Sequence, residues 1–267
     1  MDEGPSPTLV FPAPPAGKRA ARLRRLGVDR LWGRDPARVW WLVRVFGTPV
    51  FAWLARGSVA YGVERIPREG GVVVAANHFT ALDPVLVGGL EPRGMHLLAK
   101  GQLFRRSLLT ESILWLGAIP VGHQADNRAA LRHATELLRA GRVVGVFVEG
   151  ARQRSQEIGE AMPGAALLAA RAGVPVVPCG VDTHGWAKAR RRPCVAVFGE
   201  PIRLDALPPG REGIRHGTRK IAVAIDRLFQ EAVEANRAGR PERLPDGARR
   251  RGWVENWVDA VTHRPRG

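Results

Sequence analysis

From about residue 58 the chain alternates short apolar runs with longer stretches in which apolar residues return every three or four positions. Val72-Val73-Val74-Ala75-Ala76 and Val143 to Val148 are short and apolar throughout, the pattern of strands buried on both faces. Ser58 to Val63, Met95 to Ala99, Ile119-Pro120-Val121, Val174 to Val181 and Cys194 to Phe198 read as further strands. Between and after them, Pro84 to Leu90, Leu108 to Leu116, Asn127 to Arg139, Pro163 to Ala172 and the long Ile214 to Asn236 read as helices. Asp126 and Gly141 bracket the third of these as start and stop signals. Such alternation predicts an α/β fold: a mostly parallel central sheet flanked by helices on both faces, with ligands at the strand ends. No internal repeat is present.

The pattern breaks down at both ends. Residues 1–17 are rich in proline and read as disordered, with no basic segment leading into an apolar one as a signal peptide would have. Residues 18–57 open with a basic stretch and continue as Val39 to Ala55, which holds Trp40, Trp41, Phe46, Phe51 and Trp53 between Arg38 and Arg56. Arg44 and Pro49 interrupt this run, so it is no transmembrane helix. It suits an N-terminal amphipathic, membrane-associating helical segment in the headgroup region, or else a helix on the domain's own core. Residues 237–267 form a basic tail in which Trp253, Val254, Trp257, Val258 and Val261 share one face of a short helix behind Arg249-Arg250-Arg251. That face suits a second interfacial contact or simple docking.

Length and charge narrow the picture. A chain of 267 residues suits one domain with appendages. Its formal net charge is +16, nearly all from arginine, since lysine occurs only at Lys18, Lys100, Lys188 and Lys220. That charge fits a biased genome, or attraction to an anionic membrane surface, to phosphorylated or CoA-bearing substrates, or to nucleic acid. Nucleic acid is disfavoured, because no recognition module or pattern of stacking aromatics accompanies the arginines. The only cysteines, Cys179 and Cys194, lie in strand-like runs without ligand spacing, so neither a disulfide framework nor a metal site is expected.

Chemistry first enters at Asn77-His78-Phe79-Thr80-Ala81-Leu82-Asp83, directly after the apolar run 72–76. His78 falls in a strand-to-helix loop with an acid five residues on. A histidine oriented by a carboxylate can take a proton from a hydroxyl. Asp83-Pro84 is equally an ordinary helix opening, with aspartate as cap and proline in the first turn.

Four later segments join it: Gly117-Ala118-Ile119-Pro120-Val121-Gly122-His123, Phe147-Val148-Glu149-Gly150-Ala151-Arg152, Pro163-Gly164-Ala165 and Val174-Pro175-Val176-Val177-Pro178. In this order, across residues 58–236, they resemble the glycerolipid acyltransferase family that includes the 1-acylglycerol-3-phosphate (lysophosphatidic acid) acyltransferases. The resemblance implies that His78 is the general base and Asp83 holds its ring and stabilises the imidazolium. It implies Glu149, Gly150 and Arg152 as the acceptor block, with Lys100 and His123 as further phosphate contacts. Arginine suits that role because its guanidinium pairs bidentately with phosphate. No cofactor is implied; acyl-CoA or acyl carrier protein is the donor, a lysophospholipid the acceptor, and the cytoplasmic face of the membrane, held peripherally or monotopically, the setting.

The chain departs from that family's pattern at His123, where arginine is usual, and at Val148, Ala151, Gln153 and Met162. These changes leave the reaction as implied and open the acceptor to another lipid or sugar hydroxyl, or reduce the protein to a non-catalytic lipid binder. Among the other histidines, His96 reads as structural, His184 as a residue that could line the site, and His133 and His216 as exposed on polar helices.

Overall fold

The computed structural model describes residues 41–42, 45–46, 57–91, 93–100, 117–121, 124–153, 157–183, 185–186 and 193–262. Strands are β1 (Val59–Tyr61), β2 (Val72–Ala76), β3 (Met95–Lys100), β4 (Ile119–Val121), β5 (Val143–Phe147), β6 (Val176–Asp182), β7 (Val195–Phe198) and β8 (Arg250–Gly252). Helices are α1 (Asp83–Leu90), α2 (Gln124–Arg139), α3 (Gly164–Ala172), α4 (Arg211–Arg237) and α5 (Trp253–Thr262). The strands form one sheet in the order β4-β3-β5-β2-β6-β7-β1-β8. Strands β4, β3, β5, β2 and β6 run parallel; β7 is antiparallel to β6, and β8 to β1.

Strand β2 sits near the middle and shows why its sequence is apolar at every position. Val72, Val74 and Ala76 face a core completed by Leu86, Val87 and Leu90 of α1 and by Trp253 of α5. Val73 and Ala75 face the opposite core with Ala134 and Leu137 of α2, Leu168 of α3 and Ile221 and Ile225 of α4. Side chains alternate across a strand, so burial on both sides requires apolar residues at each step. Helix α4 lies flush on β6: a Cβ on Gly180 would stand 2.1 Å from the backbone N of Phe229. That approach carries Phe229 to the loop after β2, where its ring meets Phe79 at 5.2 Å between centroids.

The segment after 237, expected as a tail, extends the sheet. Arg250 and Arg251 stand in β8, paired with Tyr61 and Ala60 of β1, and Trp253 is buried in the core. Arg251 also pairs with Asp259 and Arg250 with Glu242. Helix α2 starts at Gln124, so Asp126 lies inside it instead of opening it. His133 is a clear correction: it is buried, because positions 130, 133, 134 and 137 form one inward stripe of α2. His216 is exposed and His96 buried, as expected. The helix expected over 108–116 and nearly all of residues 1–57 lie outside the described residues; of the aromatic segment, Leu42 and Phe46 are described and exposed. No described helix is long and apolar enough to cross a membrane.

Candidate active site

Three parallel strand ends, those of β2, β5 and β6, converge on the loop 77–82. Asn77 comes first. It is fully buried and its side chain extends the β2–β6 pairing, donating to the Val181 carbonyl at 2.9 Å and accepting the Val181 N–H at 2.8 Å. His78 is held by its backbone from the β5 side. Its N–H donates to Glu149 Oε2 at 2.8 Å, and its carbonyl accepts the Gln153 N–H at 2.8 Å. The imidazole stacks on Phe147, with centroids 4.2 Å apart and planes 23° from parallel.

Asp83 is completely buried at the first position of α1. It does not cap that helix, as the sequence suggests; its carboxylate folds back over the preceding loop. Oδ2 accepts the N–H groups of Phe79 at 2.6 Å and Thr80 at 2.8 Å, and Nδ1 of His78 at 2.7 Å. Oδ1 accepts the hydroxyls of Thr80 at 2.8 Å and Thr183 at 2.5 Å. An ionised carboxylate only accepts, so Nδ1 carries the ring proton and Nε2 keeps its lone pair. Nε2 has no hydrogen-bond partner among the described residues, and the His78 side chain is 17% exposed. A base with a fixed tautomer and an open nitrogen can deprotonate a hydroxyl placed against it.

The acceptor block divides. Glu149 is 8% exposed and uses both oxygens on backbone, accepting the N–H of His78 and that of Gly159, the latter at 2.9 Å. Burial raises its pKa above the usual carboxylate value, against the pull of those two N–H bonds. It therefore acts as a tie between the β2 and β5 loops. Gly150 turns the chain at φ +63°, and Met162 packs on its open side. Arg152 is exposed and has no partner among the described residues, leaving its guanidinium fork free. Lys100 ends β3, the neighbour of β5. His123 and His184 lie outside the described residues. Asn77, Thr80, Phe147 and Thr183 complete the site without having been assigned roles from sequence. Thr80 was signalled by lying three residues before Asp83, whereas nothing local signals Thr183.

No group of three or more potential metal ligands occurs among the described residues. Burial holds both thiols neutral, pushing Cys179 far above the ordinary range and Cys194 to about 12.

Fold and site together give an α/β domain with a histidine–carboxylate pair at its strand ends. Residues 58–182 match the family model described as Acyltransferase. The chain is 27% identical over 179 residues to a 1-acyl-sn-glycerol-3-phosphate acyltransferase of Bacillus subtilis, covering 65% of this chain and 89% of that one. It is 29% identical over 129 residues to the enzyme of the same name in Borreliella burgdorferi, covering 47% and 52%. The crystal structure of the 1-acyl-sn-glycerophosphate (LPA) acyltransferase PlsC from Thermotoga maritima matches with a TM-score of 0.61 at 26% identity, covering 80% of this chain and 87% of that one. Residues 58–182 thus resemble the glycerolipid acyltransferases, and in class the protein is an acyltransferase.

Proposed function

We propose that the protein moves a fatty acyl group from acyl-CoA or acyl carrier protein to the free hydroxyl of 1-acylglycerol-3-phosphate, giving phosphatidate. The observation that carries this reading is the His78–Asp83 pair, with Nδ1 bonded to the carboxylate at 2.7 Å and Nε2 open. His78 Nε2 takes the hydroxyl proton as the acceptor oxygen attacks the thioester carbonyl. The tetrahedral intermediate then collapses, the C–S bond breaks, and the imidazolium returns its proton to the departing thiolate. The substrate alcohol is itself the nucleophile, so no acyl-enzyme forms. Arg152 takes the acceptor phosphate.

A lipid acceptor, the net charge of +16 and the exposed Leu42 and Phe46 support action at an anionic membrane surface, peripherally from the cytoplasmic side. The test is release of free thiol by purified His78→Ala with 1-acylglycerol-3-phosphate present. General-base loss should lower the rate by about 10²–10⁴-fold with the protein still folded. Full activity of that variant would sink the reading.

A further inference from the structure

Four of the five hydrogen bonds to Asp83 come from one short loop: the N–H groups of Phe79 and Thr80, the Thr80 hydroxyl and the His78 ring. By themselves they fix the acid to its own loop and to nothing else. The fifth comes from Thr183, 100 residues away, which is completely buried just beyond the end of β6. We propose that Thr183 is a positioning residue for acyl transfer, its hydroxyl fixing the rotation of the Asp83 carboxylate, dispersing its charge and so setting the basicity of His78. This inference rests on the reading of His78 as the base.

The geometry runs continuously from scaffold to base. Ala76 of β2 pairs with Cys179 of β6, and the Asn77 side chain bonds both backbone groups of Val181, two residues before Thr183. The Thr183 carbonyl is itself tied down, accepting the Trp186 N–H at 3.0 Å. Strand β6 thus delivers the hydroxyl, and a carboxylate partner leaves that hydroxyl only one role, donor. A hydroxyl bond to an ionised oxygen is short and strong, and it draws negative charge away from the side of the carboxylate that faces the ring. Without it, Oδ2 carries more charge, the imidazolium is held more tightly, and His78 gives up its proton at higher pH.

The other titratable groups around the pair are the same in every variant and so cancel in the comparison. Glu149 meets the His78 backbone from the β5 loop. The Cys179 thiol on β6 and the Cys194 thiol before β7 are held neutral by burial and, to a lesser degree, by the Asp83 charge. Asp182 accepts from Asn236 on α4.

The experiment compares Thr183→Val, which keeps the shape and loses the hydroxyl, with Thr183→Ser, which keeps the hydroxyl. Thr183→Ala supplies the same comparison where a second branched methyl disturbs packing. The readouts are the titration midpoint of the His78 ring Cε1–H by NMR, assigned by its absence in His78→Ala, and the pH profile of kcat. The hydroxyl-free variants should titrate about half a unit or more higher. Because a carboxylate free to rotate no longer fixes the ring against the acceptor hydroxyl, kcat should still fall about ten-fold with KM within about two-fold, and serine should restore both midpoint and rate. A midpoint equal to wild type in the hydroxyl-free variants, or a serine variant shifted as far as they are, overturns the inference. A fully active His78→Ala would instead overturn the general-base reading, while the titration result would stand by itself.

Discussion

Replacing Asp83 with asparagine removes a charge while keeping a shape, and the site dictates how the amide must lie. Oδ2 faces three N–H donors, from His78, Phe79 and Thr80, whereas Oδ1 faces two hydroxyls, from Thr80 and Thr183. Hydroxyls rotate to accept, but N–H groups cannot, so the amide NH2 must take the Oδ1 position and the amide oxygen the Oδ2 position. The His78 tautomer survives. What is lost is stabilisation of the imidazolium that forms when Nε2 takes the proton. A hydrogen bond to a charged group is worth about 1.5–3 kcal/mol, and unit charges ~4 Å apart at an effective dielectric near 20 attract by about 4 kcal/mol at most. A loss of about 2–4 kcal/mol corresponds to a fall in kcat of about 30- to 1000-fold. KM should hardly move, since the buried Asp83 does not reach the surface where substrate binds. Asp83→Ala differs: it strands the Phe79 and Thr80 N–H groups, at about 1–3 kcal/mol each, and should melt well below Asp83→Asn. Initial rates of thiol release and melting by circular dichroism check both statements. Asp83→Asn within about three-fold of wild-type kcat would refute the charge argument, and equal melting of the two variants would refute the amide orientation.

Three further outcomes follow from the geometry. Arg152→Ala should lower kcat/KM for a phosphorylated acceptor by about 10- to 100-fold, the worth of a charge-assisted contact, and leave an uncharged acceptor within about two-fold; equal losses on both would remove Arg152 from phosphate binding. Glu149→Gln must turn its NH2 toward the N–H of either His78 or Gly159, which should cost about 1–3 kcal/mol and several degrees of Tm; an unchanged Tm would contradict the tie. His133 is depressed from 6.5 to about 4, chiefly by burial and then by the charge of His96. The unfolded chain therefore binds the proton first, so stability is full above about pH 6.5 and declines by up to about 3 kcal/mol as pH falls toward 4. Urea melts of wild type and His133→Leu at pH 7 and 4.5 check the sign, because the leucine variant should lose less on acidification.

The parts legible in the sequence are those where local pattern and tertiary need agree. Val72 to Ala76 is apolar at every step because both faces are covered, and α4 shows its inward stripe at Ile221, Ile225 and Leu228 over a long, regular helix. His78 and Asp83 were visible because five residues separate them. The reversal of β7 was hidden, since an apolar run carries no direction. Strand β8 was hidden because Arg250-Arg251-Gly252 has no strand pattern; its pairing comes from the free edge of β1. His133 was misjudged from its polar neighbours, although Ala130, Ala134 and Leu137 mark the buried stripe it shares. Thr183 had no local signal, because the sheet order alone brings β6 beside β2. Asp83 looked like a cap since sequence cannot say whether its carboxylate reaches forward to the helix or back to the loop.

Burial separates the two tasks of this site. Asn77, Asp83 and Thr183 are completely buried, and each bonds across elements that the sheet already holds in register. A proton-transfer group needs that rigidity, because a misplaced base loses rate steeply with small displacements. Arg152 is exposed and Met162 is 58% exposed on the rim formed by the β5 loop. Residues there can change without unsettling the network, since no hydrogen bond of Asp83 or of the His78 ring depends on them. On the proposed reading the base and its acid therefore belong to the scaffold, whereas the choice of acceptor belongs to a rim that can vary independently. A substitution at Arg152 that altered the His78 titration midpoint, beyond the small effect of one screened surface charge, would show that the two tasks are coupled after all.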